Sequence, residues 1–445
     1  MGSRRSGPGE KMKFEKVCIL GLGYIGLPTA CMFATNGVKV LGVDTNPRVI
    51  ETLQEGRLHI HEPGLGEVME QALKSGNLSV ATSPEPAEAF IIAVPTPFHE
   101  HEFGEYNGQR YKKADMGAVT AAARAVAPHL REGSLVVLES TSPPRTTVDL
   151  LVPILEGSGL KAGVDFHVAY TPERVLPGQI LRELVENARV IGGLTPESAQ
   201  AGHDLYVNFV RGEIHLTDAT TAEMVKLMEN TYRDVNIAIA NEFSRLAERF
   251  GVDVWEAINL SSLHPRVKIL RPGPGVGGHC ISVDPWFFAD SAPDLSSLIM
   301  SARQVNDSQP AFAVELVKKA LGDLAGKKIA ALGLAFKPEV DDLRESPAVE
   351  VIHLLAKEGA QVKAFEPFKP EAALPGVVSV ASLEQALAEA EAVLLLVNHS
   401  EFHKITPAQL KALSPARVLI DTVNGWAGQD WAAAGFHLFR LGVGR

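Results

Sequence analysis

Short, almost wholly apolar runs alternate with longer amphipathic stretches along most of the chain. Uninterrupted apolar runs of this length are typical of strands buried on both faces, and the stretches between them are typical of helices. The runs occupy residues 16–20, 38–43, 89–94, 134–138, 164–170 and 187–193 in the first half, and 328–333, 361–365, 392–397 and 418–420 in the second. This alternation predicts an α/β protein with two Rossmann-like, doubly wound domains.

One predicted helix is much longer than the others and lies between the two α/β halves. It runs from about Thr221 to Phe250, and Thr220 with Glu223 predicts a capping box at its start. A helix of this length suits a spine between domains or a dimer interface. Lys226 and Asn230 are one turn apart and therefore share a face. From the helix alone, a lysine that extends to solvent is the favoured interpretation of Lys226.

The first apolar run leads directly into a glycine-rich turn, a helix and a second run that ends in an acid. In such a unit the first glycine makes the tight turn, the second admits a pyrophosphate, and the third packs helix against strand. The acid would hold the ribose hydroxyls and repel a 2′-phosphate, which favours NAD, although a nearby arginine weakens that preference. A glycine-rich turn without a nucleotide is the less favoured alternative. The residues assigned to this cofactor site are Gly21, Gly23, Tyr24, Ile25, Gly26, Asp44 and Arg48.

Composition narrows the class of protein. The chain has 445 residues, 46% of them hydrophobic, and a formal net charge of −11, which argues against general nucleic-acid or membrane binding. Three widely spaced cysteines give no disulfide framework and suit a reducing cytoplasm. Residues 1–13 are basic and rich in glycine and serine, and we expect an unstructured tail or a vector-derived remnant there.

Polar residues follow several of the predicted strands, at the edge where ligands bind in open α/β sheets. Thr96 follows one strand, the segment Glu139–Ser142 follows the next, and Glu173 follows a third. For Ser140 and Ser142, turn formation is an equally favoured interpretation. Residues 99–115 look like a mobile surface loop, and the histidines and glutamates within it predict no metal site because nothing rigid flanks them.

The most unusual stretch is Gly-Pro-Gly-Val-Gly-Gly-His-Cys at 273–280, followed by Asp284. So many glycines and prolines exclude a helix interior or central strand and predict a shaped loop or a helix entry. We interpret Cys280 as a reactive nucleophile, and Cys18 and Cys31 as core residues. Four basic residues precede the loop and suggest a phosphate-bearing substrate, with a solvated surface as the alternative. They are His264, Arg266, Lys268 and Arg271.

Together these motifs resemble those of the nucleotide-sugar 6-dehydrogenases, in the family's order and across nearly the whole chain. They are Gly-Leu-Gly-Tyr-Ile-Gly-Leu-Pro (21–28), Val-Pro-Thr-Pro (94–97), Glu-Ser-Thr (139–141), Pro-Glu-Arg-Val-Leu-Pro-Gly (172–178), Lys226 with Asn230, the cysteine loop, and Phe-Lys-Pro-Glu-Val-Asp-Asp-Leu-Arg-Glu-Ser-Pro (336–347). The resemblance implies an NAD-binding domain at 14–210, a helical central domain at 211–312 and a UDP-sugar-binding domain at 313–445. It also implies a homodimer or a dimer-based oligomer.

The resemblance implies a role for each matching residue. Cys280 would form a thiohemiacetal and then a thioester with the sugar C6, while Lys226 and Asn230 stabilise the developing oxyanion. The hydrolytic water would be served by Asp284, Glu173 and Thr141. Thr96 and Arg344 would contact NAD. Substrate contacts would come from Arg174, Val175, Leu176, Arg266, Gly277, Phe336 and Lys337, with Arg266 reaching a neighbouring subunit.

The motifs at 172–178 and 272–287 most resemble enzymes acting on UDP-N-acetyl-D-mannosamine. UDP-N-acetyl-D-glucosamine and UDP-glucose are the alternatives. Two positions depart from the family pattern: Arg145 stands where glycine is usual, and Val423 replaces a common arginine. A zinc alcohol dehydrogenase using Cys280, His279 and Asp284 is a disfavoured rival, because adjacent side chains rarely converge on one ion. A sugar- or NAD-binding protein without activity is a second rival.

Overall fold

The computed structural model describes residues 11–278, 280–370 and 372–444, apart from the side chain of Glu100. The chain forms two compact units, Met1–Glu229 with Trp286–Pro293 and Asn230–Pro285 with Asp294–Arg445. Most of the predicted tail lies outside the described residues. Within its last part, the Met12 N–H donates to Asp204 Oδ2 at 2.8 Å, and the Met12 side chain packs against the core.

The first unit is built on an eight-stranded sheet in the order β10-β9-β8-β7-β4-β1-β2-β3. Neighbouring strands run parallel except for the β8–β9 pair. The strands, with the hairpin described below, are β1 (Lys16–Leu20), β2 (Lys39–Val43), β3 (Leu78–Ala81), β4 (Ala89–Ile92), β5 (Phe98–Tyr106), β6 (Gln109–Ala114), β7 (Leu135–Leu138), β8 (His167–Tyr170), β9 (Arg189–Gly193) and β10 (Ile214–Asp218).

Alternation along the central strands divides the core of this unit into two layers, one on each face of the sheet. In β1, Val17 and Ile19 join one cluster of buried residues, whereas Cys18 and Leu20 join the other. Seven helices cover the faces: α1 (Gly26–Thr35), α2 (Pro47–Gln54), α3 (Leu65–Lys74), α4 (Gly117–Val126), α5 (Val152–Leu155), α6 (Ile180–Glu186) and α7 (Pro196–Tyr206). A π-helical segment, Thr146–Leu151, leads into α5, and single 3₁₀ turns occupy Ala127–His129 and Glu156–Ser158.

The long helix is confirmed as α8 (Ala219–Phe250), but its predicted capping box is wrong. Asp218 caps the helix instead, because its carboxylate accepts from both the N–H and the hydroxyl of Thr221. Glu223 turns away and accepts from the N–H groups of Arg145 and Thr147. It therefore caps the π-helical segment, which is remote in sequence.

Residues 99–115 are not the predicted loop. Strands β5 and β6 form an antiparallel hairpin, closed by Asn107 and Gly108 with φ values of 48° and 77°. Positive φ at both central residues is the requirement of the two-residue turn that best fits the twist of a hairpin. The Asn-Gly pair was therefore a visible signal for this element.

The second unit contains a six-stranded parallel sheet in the order β13-β12-β11-β14-β15-β16, the strand order of a dinucleotide-binding fold. The strands are β11 (Lys328–Leu332), β12 (Gln361–Phe365), β13 (Val378–Ser379), β14 (Ala392–Leu395), β15 (Val418–Asp421) and β16 (His437–Arg440). The remaining helices of the chain are α9 (Val254–Ser261), α10 (Asp284–Ser291), α11 (Ser297–Asp307), α12 (Gln309–Leu321), α13 (Pro347–Lys357), α14 (Leu383–Leu387), α15 (Ser400–His403) and α16 (Pro407–Leu413).

The predicted class is confirmed, since both α/β halves contain a Rossmann-like sheet and a long helix lies between them in the sequence. Three of the strands that the prediction missed, β3, β13 and β16, are short and mix polar with apolar residues. None of the helices in the described part of the chain combines the length and hydrophobicity needed to cross a bilayer.

Candidate active site

The glycine turn between β1 and α1 has the geometry expected of a pyrophosphate site. Gly21 has a φ of +93°, and a Cβ there would lie 2.5 Å from the Ala93 carbonyl oxygen. A Cβ on Gly26 would lie 1.8 Å from the Gly21 carbonyl oxygen, so only glycine allows this approach of helix to strand. A Cβ on Gly23 would meet nothing within 4 Å. The turn is thus packed tightly against the protein on one side and open on the other.

Asp44 lies beside this turn, directly after β2. Its Oδ2 accepts from the Leu22 N–H at 3.0 Å, and its Oδ1 accepts from the Asn46 N–H at 2.9 Å. The side chain is only partly buried, so the carboxylate can still reach a ribose hydroxyl. Arg48 is exposed, and its N–H donates to the Asn46 side chain at the start of α2. The turn and the acid together fit NAD.

The threonines that follow β4 and β7 are joined to each other. The buried Thr96 hydroxyl donates to the Thr141 carbonyl at 2.7 Å. The Ser140 hydroxyl donates to the Val94 carbonyl at 2.7 Å, and that of Ser142 donates to the Ser140 carbonyl at 2.9 Å. These bonds favour the turn-forming interpretation of the two serines and fix the loop that carries Thr141.

Glu173 and Lys226 meet in the first unit. Lys226 is 7% exposed, and its ammonium group donates to the Glu173 carbonyl oxygen at 3.0 Å. It does not extend to solvent, so the interpretation favoured from the helix alone is wrong. The Glu173 carboxylate accepts from the Arg174 N–H at 2.7 Å through Oε1, and from Arg189 Nη2 at 2.8 Å through Oε2. Both carboxylate oxygens are therefore oriented by the protein.

The segment after Glu173 is held less tightly. Arg174 pairs with Glu229 at 2.8 Å and also donates to the Ala188 carbonyl. Val175 packs against the core of the first unit, whereas Leu176 is 48% exposed. A substrate contact by Arg174 would have to share its guanidinium with Glu229.

Cys280 and Asp284 lie in one turn of the second unit. The Cys280 carbonyl accepts from the N–H groups of Val283 at 3.1 Å and Asp284 at 2.8 Å, and α10 begins at Asp284. The Cys280 side chain is exposed, while Asp284 is 2% exposed and accepts from Asn230 Nδ2 at 2.6 Å. The predicted helix entry is confirmed. His279 lies outside the described residues.

Close packing explains the glycines before Cys280. A Cβ on Gly277 would lie 2.3 Å from the Glu345 carbonyl oxygen, and one on Gly278 would lie 2.6 Å from the Phe336 ring. The Gly278 N–H donates to the Arg344 carbonyl at 3.2 Å. The cysteine loop is thus seated on residues 336–345, the last of the predicted motifs.

The charged residues of that motif and of the basic cluster remain accessible. Lys337 Nζ lies 5.6 Å from the centroid of the Phe336 ring, and Arg344 pairs with Asp342 at 2.7 Å. The four members of the basic cluster, including Arg266, are exposed. Within the described ranges, no three His, Cys, Asp or Glu side chains are grouped to hold a metal ion, although the rival zinc site includes the undescribed His279.

The remaining cysteines and the two departures from the family pattern have structural explanations. Cys18 and Cys31 are fully buried, and burial raises the pKa of each thiol to about 12. Arg145 has a φ of 73°, a conformation that favours glycine, and it is stabilised by Glu223 and by Asp149. The N–H of Val423 donates to Asp421, so this position serves a turn.

Arg189 contacts Glu173 and was not among the residues predicted from the sequence. A signal was present, because an arginine that begins an apolar strand must find a buried acceptor. Its partners are distant in sequence, and the pattern along the chain does not reveal them.

Comparison with known proteins matches three successive parts of the chain to one family. Three models of the UDP-glucose/GDP-mannose dehydrogenase family match: the NAD binding domain at residues 15–210, the central domain at 220–308 and the UDP binding domain at 330–427. An NDP-N-acetyl-D-galactosaminuronic acid dehydrogenase of Ralstonia nicotianae is 46% identical over 94% of this chain and 98% of its own length. A UDP-N-acetyl-D-mannosamine dehydrogenase of Campylobacter jejuni is 47% identical over 88% and 97%.

A solved structure agrees with the sequence relatives. The UDP-D-ManNAc dehydrogenase of Pyrococcus horikoshii superimposes with a TM-score of 0.87 at 40% identity, covering 96% of this chain and 99% of that one. With a glycine turn fitted to NAD and an exposed cysteine beside a buried aspartate, the chain belongs to the UDP-glucose/GDP-mannose dehydrogenase family and is an NAD-dependent nucleotide-sugar dehydrogenase.

Proposed function

We propose that the chain oxidises C6 of UDP-N-acetyl-D-mannosamine from an alcohol to a carboxylate, through a thiohemiacetal and a thioester on Cys280. The contrast among the three cysteines carries this proposal. Cys280 is exposed in the turn that precedes a helix, whereas the other two thiols are buried and have pKa values raised to about 12. A thiolate is the nucleophilic form of cysteine, and a buried thiol with a high pKa supplies very little of it.

Each chemical step uses groups that this chain provides. The turn of Gly21, Gly23 and Gly26, with Thr96 and Arg344, would hold NAD, which when bound would supply the hydride acceptor for each of the two oxidations. Between them, the Cys280 thiolate adds to the C6 aldehyde and forms a C–S bond. Water then attacks the thioester carbonyl, the C–S bond breaks, and the carboxylate and the free thiolate are released.

Lys226 and Asn230 stabilise the oxygen on which negative charge develops. Such stabilisation requires donors that are fixed in place before the reaction. Support comes from the hydrogen bonds that fix each side chain, from Lys226 to the Glu173 carbonyl and from Asn230 to Asp284. Glu173 accepts the proton of the hydrolytic water, and Asp284 and Thr141 orient that water.

The UDP-sugar substrate binds to the residues that the family pattern assigns to it. They are Arg174, Val175, Leu176, Gly277, Phe336 and Lys337, with Arg266 contributed to the neighbouring subunit. Relatives named for UDP-N-acetyl-D-mannosamine at 41–47% identity favour that sugar. Relatives named for N-acetyl-D-galactosaminuronic acid at 46% identity make the galacto sugar a second candidate. UDP-N-acetyl-D-glucosamine and UDP-glucose are the other candidate substrates.

The enzyme forms a homodimer through α8. Exposed apolar side chains recur along this helix at spacings of three, four and seven residues, a pattern typical of helices that pack against one another. They are Met224, Met228, Tyr232, Ile239, Phe243, Leu246 and Phe250. The reaction also requires that Cys280 stay reduced, as it would in the cytoplasm.

A substrate panel and a pair of cysteine variants test this function. The four UDP-sugars are supplied with excess NAD, and NADH is counted per sugar consumed. Two NADH are expected for the true substrate. Cys280→Ala should form no carboxylate while it still binds NAD, and Cys31→Ala should turn over normally. Two NADH per sugar from Cys280→Ala would exclude the covalent mechanism, and loss of activity with a chelator would favour the zinc alternative.

A further inference from the structure

A buried ionic cluster lies directly behind the Glu173 carboxylate in the first unit. Arg189 begins β9 and is 5% exposed. One arm of its guanidinium, Nη2, donates to Glu173 Oε2 at 2.8 Å, and the other, Nη1, donates to Glu139 Oε1 at 3.4 Å. Tyr206 closes the cluster, because its hydroxyl donates to the same Glu139 oxygen at 2.5 Å and its ring centroid lies 4.5 Å from the Arg189 guanidinium carbon.

This cluster is costly to bury. It contains one cation and two carboxylates, so it carries an excess negative charge whenever both glutamates are ionised. Glu139 is fully buried, and its Oε2 has no hydrogen-bond partner in the described part of the chain. Burial raises the pKa of Glu139 to about 7 against the opposing effect of Arg189. Apolar side chains of similar volume would fill such a space without this cost, so stability alone does not explain the cluster.

The connection to Glu173 supplies the explanation. The Glu173 carbonyl is bound by Lys226, and carboxylate Oε1 is bound by the N–H of the next residue, Arg174. The side-chain bond that fixes Oε2 comes from Arg189. Arg189 in turn is fixed by Glu139 and by the face of Tyr206.

We propose that Arg189 is a positioning residue, which holds the Glu173 carboxylate in the orientation needed to take the proton from the water that cleaves the thioester. The proposal rests on the function proposed above. Glu139 and Tyr206 act one step further away, by holding the guanidinium. Lysine cannot replace this arginine fully, because a single ammonium group does not reproduce a planar fork that reaches two carboxylates.

A positioning role and a merely structural role predict different kinetics. If Arg189 only stabilises the fold, its loss should weaken every step and leave no intermediate. If it positions Glu173, both hydride transfers should proceed and the thioester should accumulate, because hydrolysis alone is slowed. A misplaced catalytic group of this kind lowers the rate by about 10- to 100-fold.

The experiment compares Arg189→Lys and Arg189→Met with the wild type in single-turnover and steady-state assays. We expect kcat to fall about 10- to 100-fold and the initial burst of NADH to remain. KM for the UDP-sugar should fall together with kcat, so that kcat/KM stays nearly unchanged, because only the step after the thioester forms is slowed. Intact-mass analysis under turnover should show a sugar adduct on the protein. Tyr206→Phe should give the same pattern with a smaller loss, and Arg189→Lys should retain more activity than Arg189→Met.

Arg182→Met is the matched control, because Arg182 lies on α6 of the same unit and pairs with Glu186 at the surface. It should behave as the wild type. Wild-type rates in both Arg189 variants, or a burst that falls as much as kcat with no adduct, would overturn the positioning role. If Arg189→Met does not fold, as judged by NAD binding, Arg189→Lys decides alone. A wild type that makes no carboxylate from any UDP-sugar would instead overturn the proposed function.

Discussion

The two Rossmann-like sheets have nearly the same glycine turn after their first strand, but the acid beside that turn has different surroundings in each sheet. In the first, the Gly21 N–H donates to the Val43 carbonyl at 2.8 Å, and in the second the Gly333 N–H donates to the Phe365 carbonyl at 2.9 Å. Both glycines have a φ above +90°. A Cβ on Gly21 would collide with the residues that follow β4, and a Cβ on Gly333 would collide with those that follow β14.

The two turns differ in the acid that follows the second strand of each sheet. Asp44 is partly exposed and accepts two backbone N–H groups. Glu366 is 1% exposed and accepts the N–H groups of Leu334, Ala335 and Phe368. His399 Nε2 lies 3.2 Å from it and donates, because Nδ1 of the same ring accepts the Glu339 N–H.

The residue four positions after β4 or β14 determines whether the acid beside the turn remains accessible. In the first sheet this residue is Thr96, whose hydroxyl bonds to the Thr141 carbonyl. In the second it is His399, whose ring covers Glu366. A glycine turn therefore does not by itself make a dinucleotide site. The acid beside it must also be left free to bind a ribose, as Asp44 is and Glu366 is not.

Substitution of Glu366 should have the largest effect, and that effect should be on the free energy of unfolding. Glu366→Ala leaves three N–H groups and His399 without a buried acceptor, which should cost roughly 3 kcal/mol or more. The midpoint of thermal unfolding should fall by roughly 6–12 °C. Binding of NAD to the folded variant, measured by calorimetry, should not change. A weaker NAD affinity with an unchanged midpoint would contradict the comparison.

Asp44→Ala should produce the opposite result. Loss of charge-assisted bonds to the ribose should weaken NAD binding by about 1.5–3 kcal/mol, or roughly 10- to 100-fold in Kd. The unfolding midpoint should fall by only a few degrees, because Asn46 is exposed and only the N–H of the buried Leu22 loses its acceptor. Asp44→Glu is the control that retains the charge. An Asp44→Ala enzyme with wild-type NAD affinity would show that the exposed acid does not bind the cofactor.

Two buried glutamates should give the two units opposite responses to pH. Burial raises the pKa of Glu139 to about 7 from 4.5, so its contribution to stability is present below pH 4.5 and is lost as the pH rises through 7. That change corresponds to roughly 3 kcal/mol. Burial also opposes ionisation of Glu366, but the hydrogen bonds from His399 and the backbone outweigh it and lower the pKa below 4.5. Its contribution is therefore present above pH 4.5 and lost below.

Unfolding midpoints of the wild type, Glu139→Gln and Glu366→Gln between pH 4 and 8 test both signs. Glu139→Gln should remove a decline in stability between pH 4.5 and 7, and Glu366→Gln should remove a loss of stability at the acid end. If Glu139→Gln keeps the wild-type slope, the raised pKa is not the origin of that decline.

The sequence predicted features that depend on neighbours along the chain. The strand–turn–helix unit at 16–44, the long helix and the helix entry at Cys280 all follow from local patterns, and each is present. It did not predict contacts between distant residues. Glu223 was assigned to its own helix but bonds to residues 145–147, and Arg189 was overlooked because its carboxylate partners lie 50 and 16 residues before it.

The hairpin of β5 and β6 gives the smallest expected effect and tests whether the region after β4 belongs to the nucleotide site. Gly108→Ala places a Cβ on a residue with a φ of 77°, which should cost about 1 kcal/mol. Amide exchange within the hairpin should accelerate about fivefold, while NAD affinity and kcat stay unchanged. Gly76, with a φ of 72° and open space around it, gives the matched control Gly76→Ala, which should leave hairpin exchange unaffected. The hairpin contacts residues 287–290 of α10, through Phe98 against Phe287 and the Ala114 N–H donating to Asp290. If Gly108→Ala weakens NAD binding or kcat, the hairpin takes part in catalysis through these contacts. The glycine turns at Gly21 and Gly333 would then differ in more than the exposure of the acid beside each of them.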